Sequence, residues 1–314
     1  MIRFLIAIIV LQWCFCLFLL QSSESGNNTE RSLPAWNGVA ALLFLRRPKW
    51  YYKRYNVLVD NTLANIPLDW GLQIFYEREF LSEVLQFHRG LERRLKQHPR
   101  VVLTELPPSL SHLKPNRIWK DSWVWKNAVT DRVLTINGDG VLCSNSQKSW
   151  SDLEGIDYIG IPWKHGEGGD GSTHSLQNRT VVLAAMNSLY WHQLEGRRFD
   201  TRLVQMIRRL NEEGSQYRLA TTQETEWFGP AKHQLMTANG TLIHNTDFGP
   251  LVVTGTLSDW SYEARNWVLG TCPELKAIFP SLHDPACFGA RPDPTRCAAS
   301  LGLPQPSSEC FDKN

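Results

Sequence analysis

Four residues near the middle of the chain, Asn137-Gly138-Asp139-Gly140, have the types and spacing to do chemistry. Neither glycine has a side chain to block the path, so a ligand can come close to the carboxylate and its backbone. Such a group can hold a divalent cation, or meet a phosphate through neighbouring amides. The same residues would also make an ordinary turn between two strands, and taken alone they leave both readings open. Three further carboxylates could take a proton from a hydroxyl nucleophile. They are Asp170, in the glycine-rich stretch "GEGGDGS", and Glu224 and Glu226, in "QETEWF". His174, His192, His233 and His244 have no metal-ligand spacing and read as surface or packed histidines.

The elements that must position these groups follow from hydrophobic periodicity. "VAALLFL" (39–45), "WGLQIFYE" (70–77), "RVVLTEL" (100–106) and "DRVLTIN" (131–137) are short apolar runs of strand length, and "DYIGIPW" (157–163) is a fifth. Helical spacing runs through "KWYYKRYNVLVDNTLANI". It continues through 78–98, where Phe80, Val84, Phe87, Leu91 and Leu95 fall on one face. Helices are also predicted over "NRIWKDSWVWKNAV", "TVVLAAMNSLYW" and "DTRLVQMIRRLNEEG", the last with Leu203, Met206, Ile207 and Leu210 as its apolar stripe. "KHGEGGDGSTHSLQNR" reads as a polar loop. Strand and helix in alternation predict an α/β fold with a largely parallel sheet. In such sheets ligands bind beyond the carboxyl ends of the strands, which is where Asn137–Gly140 falls.

"GDGVLCSNS", "DYIGIPW", "GGDGSTHSLQNR" and "QETEWF" occur in that order, and the set resembles a family of uncharacterised lumenal glycosyltransferases of the GT-A type. The resemblance covers roughly Val39 to Pro285. It implies a single Rossmann-like α/β domain that uses a nucleotide-sugar donor and a divalent cation, Mn²⁺ or Mg²⁺. Asp139 matches the acidic residue on which such enzymes hold metal and diphosphate, with Asn137 and Gly138 beside it. The usual pattern has two carboxylates around one residue, and here Asn137 supplies an amide instead. Gly168, Gly169, Asp170 and Gly171, with Ser175 to Arg179, match the segment that walls donor and acceptor. Gly169, Gly171, Ser175 and Arg179 are thereby donor-binding candidates. Glu224 matches the first member of an acidic pair, Thr225 stands in place of the second, and Glu226 and Asp170 are the other candidate bases. An inactive relative that binds a glycan or a partner protein is the alternative function.

Composition is that of a globular protein. The chain has 314 residues, 42% hydrophobic and 20% charged, enough for a sizeable core. A net charge of +2 argues against binding nucleic acid through phosphate neutralisation. Thirteen tryptophans exceed ordinary usage; Trp119, Trp123 and Trp125 read as core and partial surface. After Arg3 comes the apolar run Phe4–Leu20, interrupted only by Gln12, with no clear small-residue cleavage site. The expectation is a signal anchor over 1–21, a lumenal linker over 22–36, a catalytic domain over 37–271 and a Cys/Pro-rich extension over 272–314. The corresponding location is the Golgi or ER membrane, single-pass with a lumenal domain; secretion after signal cleavage is the alternative. The acceptor, whether glycan, protein or lipid, is not legible.

Three Asn-X-Thr sequons, at Asn27, Asn178 and Asn239, fit a secretory route. Cys272, Cys287, Cys297 and Cys310 contain no CxxC pair, so two disulfides are expected there rather than zinc. Cys14 and Cys16 lie in the apolar run, and Cys143 is expected to be a buried free thiol.

Overall fold

Strand β1 (Gly38–Phe44) is buried along its whole length. Its side chains divide by alternation, with Ala40, Leu42 and Phe44 in one apolar cluster and Val39, Ala41 and Leu43 in another. A strand apolar on both faces needs cover on both, and the fold supplies it as two helical layers around a central sheet. The computed structural model describes residues 35–46, 52–138, 140–162, 168, 174–229, 249–254 and 262–278. Residues from Trp36 onward form one unit, and only Ala35 of the preceding unit is among those described.

After β1 come α1 (Tyr52–Asn65), β2 (Trp70–Tyr76), α2 (Arg78–Phe87), α3 (Arg89–Gln97) and β3 (Val101–Glu105). Three short helices follow, α4 (Pro108–Ser111), α5 (Pro115–Ile118) and α6 (Ser122–Lys126), then β4 (Arg132–Ile136) and β5 (Gly140–Leu142). The second half holds β6 (Tyr158–Gly160), β7 (Ser175–Asn178), α7 (Arg179–Asn187), α8 (Phe199–Glu212) and α9 (Thr222–Phe228). It closes with β8 (Val252–Thr254), α10 (Tyr262–Thr271) and α11 (Leu275–Ile278). The main sheet has the order β3-β2-β1-β4-β7-β6, and β5 pairs with β8 in a two-stranded sheet. Strands β3, β2, β1 and β4 are parallel, whereas β7 runs antiparallel to both β4 and β6. The predicted α/β fold with a mostly parallel sheet is therefore observed.

Several local expectations are corrected. The helix predicted over 78–98 is two helices, because His88 leaves helical geometry at φ −133°, ψ 74°. The break turns α3 so that Leu91 and Leu95 are buried while Phe87 is left 56% exposed. The helix predicted over 116–129 is also split. The Asp121 carboxylate accepts the Trp123 N–H and caps a new start, an alternative the local carboxylate offers the backbone. "SLQN", read as loop, is strand β7. Cys143 is not a free thiol: it is disulfide-bonded to Cys272 across 129 residues. Cys287, Cys297 and Cys310 lie outside the described residues, as does the apolar run Phe4–Leu20. Among the described residues no helix is long and apolar enough to cross a membrane.

Candidate active site

The turn after β4 lies at the carboxyl edge of the sheet, beside the point where the strand order reverses. From β1 the chain moves to β2 and β3 on one side, then crosses to β4 on the other. Parallel register pairs Leu42 with Ile136, so the carboxyl ends of β1 and β4 stand side by side. In open α/β sheets a crevice forms at such a reversal. Asn137 and Gly138 sit at its lip, both partly buried, and the Asn137 carbonyl accepts the Gly140 N–H at 2.9 Å to close the turn. Asp139 itself lies outside the described residues, as do Gly169, Asp170 and Gly171.

Two aromatic rings hold the turn. His174, 1% exposed, lies against Gly140 so closely that a Cβ built there would come within 2.3 Å of the ring's Cδ2 and Nε2. Glycine is therefore required at 140 for close approach rather than for backbone freedom. On the other side the Trp119 indole N–H donates to Asn137 Oδ1 at 3.4 Å. Trp119 is fully buried among Phe75, Trp125 and their neighbours, and its own carbonyl accepts the Trp125 indole N–H at 2.8 Å.

Below the turn is a buried polar network. Ser175 pairs with Thr135 across β7 and β4, with hydroxyl oxygens 3.1 Å apart. Gln177 donates to the Ser175 hydroxyl at 2.6 Å. The Ser175 and Tyr158 hydroxyls both donate to Asp200 Oδ1, at 3.3 and 3.2 Å. Burial pushes the Asp200 carboxyl up to about 7, against the two hydroxyls and the charge of His174, which pull it down. The predicted donor-binding residue Ser175 is thus fully buried within this network, under the mouth rather than in it.

Two other predicted site residues are placed elsewhere. Arg179 follows the carboxyl end of β7, which because of the antiparallel pairing lies at the amino end of β4. There it pairs with Asp131 at 2.7 Å and donates to the Ala128 carbonyl at 2.8 Å, at the edge of the sheet away from the turn. Glu224 is committed at both oxygens. Oε2 accepts the Thr221 N–H at 2.7 Å in a capping box at the start of α9, and Oε1 pairs with Arg218 at 2.5 Å. A carboxylate so held serves the helix terminus rather than proton transfer. Thr225 is buried, its hydroxyl turned to the Thr222 carbonyl at 2.7 Å, and Glu226 is exposed on the same helix.

Sequence reading did not single out as site residues Trp119, which contacts Asn137, His174, which packs on Gly140, or the buried Thr135, Gln177 and Asp200 of the network beneath. The one available signal was the polar sequence of "THSLQN" directly after a glycine-rich loop. Gly168, with φ +82°, is pinned within that loop, since its N–H donates to the Ala220 carbonyl at 2.7 Å and its carbonyl accepts the Gly160 N–H at 2.8 Å. Among the described residues no three His, Cys, Asp or Glu side chains converge as a cation site.

No family model matches the chain, and no curated protein matches its sequence. Among solved structures, the apo form of the glycosyltransferase GlyE of Streptococcus pneumoniae TIGR4 is 11% identical, with a TM-score of 0.39 over 70% of this chain and 54% of that one. A second GlyE structure is 15% identical, with a TM-score of 0.38 over 73% and 56%. The galactosyltransferase LgtC, in complex with donor and acceptor sugar analogs, is 10% identical, with a TM-score of 0.35 over 77% of this chain and 100% of that one. The chain thus spans about half the length of GlyE.

Proposed function

We propose that the protein is a glycosyltransferase that moves a sugar from a nucleotide-sugar donor to an acceptor hydroxyl. The observation that carries this reading is the place of the Asn137–Gly140 turn, at the carboxyl ends of β4 and β1 where the strand order reverses. A diphosphate leaving group gathers negative charge as the glycosidic bond breaks, and fixed dipoles aimed at it lower the barrier. The open backbone at Gly138 and the amide of Asn137 supply such dipoles, while His174 and Trp119 keep the turn in one geometry. Asp139, by its position between the glycines, adds the carboxylate that the resemblance assigns to the donor. Asp139 would hold a divalent cation together with diphosphate oxygens and water, and such an ion would offset charge on the leaving group. The full chain is expected to release a nucleoside diphosphate from at least one nucleotide sugar, and Asp139→Ala to lose this. Equal release by that variant would remove Asp139 from the site.

One observation favours a second reading, a glycan- or partner-binding protein without turnover. Glu224 is tied down at both oxygens and Thr225 is buried, so neither stands ready as a base. Nucleotide-sugar binding without any product, across a panel of acceptors, would favour this reading.

We place the protein in the secretory lumen, anchored through the apolar run Phe4–Leu20. Support comes from the Cys143–Cys272 disulfide, a bond that persists in oxidising compartments, and from the three sequons. A glycosidase-sensitive mass shift together with protease protection in intact vesicles tests this location. Release of a soluble form into the medium would instead mean signal cleavage and secretion.

A further inference from the structure

The contact between Trp119 and Asn137 fixes the polarity of the mouth. An amide side chain presents an acceptor oxygen on one side and a donor NH₂ on the other, and its orientation is set by its partners. An indole N–H can only donate. Trp119 is fully buried, and the Asn137 oxygen is the acceptor its N–H finds. Reversing the amide would set two N–H groups against each other and leave the indole donor buried and unpaired. That disfavours the reversed form by roughly tenfold or more. Trp119 cannot swing away to relieve this, because it packs against Phe75 and Trp125 and its carbonyl holds the Trp125 indole N–H. With Oδ1 turned inward, Asn137 shows the mouth its Nδ2, which makes no hydrogen bond to the described residues.

We infer that Asn137 is a hydrogen-bond donor to a phosphate oxygen of the ligand and not a cation ligand, and that Trp119 is the positioning residue that makes it so. The inference rests on the nucleotide-sugar reading for the identity of the ligand. The polarity itself rests on the indole contact. Its consequence is a site that grips the diphosphate partly through a neutral donor and holds a divalent cation weakly in the absence of nucleotide.

The test uses the full chain and three variants. Asn137→Asp keeps the shape and offers the Trp119 indole N–H a carboxylate oxygen, placing a second oxygen where the amide NH₂ stood. Asn137→Ser removes the amide donor without adding charge, and Trp119→Phe removes the orienting N–H. Binding of Mn²⁺ alone is followed by electron paramagnetic resonance of the free ion. Binding of UDP and of GDP, in chelator, is followed by calorimetry. Asn137→Asp is expected to tighten Mn²⁺ about tenfold or more, and to weaken metal-free nucleoside diphosphate by a similar factor. Asn137→Ser should weaken the nucleotide several-fold with Mn²⁺ unchanged. Trp119→Phe should fall between wild type and Asn137→Ser for the nucleotide. Mn²⁺ affinity within twofold of wild type in folded Asn137→Asp, with nucleotide affinity also unmoved, overturns the inference. If no form binds either nucleotide while Asn137→Asp still gains Mn²⁺, the polarity stands and the nucleotide-sugar reading fails.

Discussion

The side chain of Asn61 treats Leu142 as a neighbouring strand would. Its Oδ1 accepts the Leu142 N–H at 2.9 Å, and its Nδ2 donates to the Leu142 carbonyl at 2.8 Å. Helix α1 thereby pairs the free edge of β5, whose other edge pairs β8, directly after the Asn137–Gly140 turn. Both Asn61 and Leu142 are buried. Asn61→Ala leaves two buried backbone groups short of a partner, with only the longer Asn65 contact at 3.4 Å to share the load. We expect a loss of about 2–4 kcal/mol in urea unfolding. A loss under 0.5 kcal/mol would mean that water replaces the amide.

Asp200 sets a pH dependence of stability. Its carboxyl is raised from 3.8 to about 7 in the folded protein, chiefly by burial. Below pH 3.8 both folded and unfolded forms carry the proton, and the site opposes nothing. As pH rises toward 7 the unfolded chain ionises first, so stability is lost progressively, by about 4 kcal/mol in all, and levels off above that. Asp200→Asn has no proton to lose and should flatten the curve, leaving the variant more stable than wild type at pH 8. Urea midpoints at pH 5, 6, 7 and 8 decide the matter, and parallel curves for the two proteins would refute it.

Gly140 and His174 should behave as a coupled pair. Gly140→Ala drives a methyl into the buried ring, and we expect about 1–3 kcal/mol of destabilisation together with weaker nucleotide-sugar binding. Combining it with His174→Ala removes the clash, so the double variant should be more stable than the sum of the single effects predicts. Strict additivity of melting temperatures would show that the turn relaxes by another route.

Glu224 should prove structural. Glu224→Gln keeps an acceptor for the Thr221 N–H and loses only the half-exposed pair with Arg218, a contribution of about 0.2–1 kcal/mol. Turnover is expected to stay within twofold of wild type, whereas Thr221→Ala should cost about 1 kcal/mol through the lost cap. A hundredfold drop in kcat for Glu224→Gln, with the melting temperature unchanged, would return it to the list of bases.

The parallel half of the sheet was legible because its strands are short, mainly apolar runs, of which β1 is apolar and buried on both faces. Strand β7 was not, since Ser175 and Gln177 are polar. They face Thr135 and Asp200, and the partners that make burial tolerable are remote in sequence. The site was half legible for the same reason. The glycines and Asn137 announce a turn at a strand end, but no local pattern says that Trp119, 18 residues earlier, will orient that amide. Nor does "QETEWF" reveal that its first glutamate is already engaged by Thr221 and Arg218. Cys143 looked solitary because its partner lies 129 residues away.

That separation has a consequence for assembly. Chains emerge at about 5–20 residues per second, so Cys143 waits roughly 6 to 26 seconds before Cys272 appears. Throughout that interval the strand beside the turn carries a free thiol and lacks β8. Strands β6 and β7 and helices α7 to α10 all lie inside the loop that the disulfide closes. The turn is made near the middle of the chain and locked only after a further 129 residues, so its fidelity depends on how long that thiol stays unclaimed.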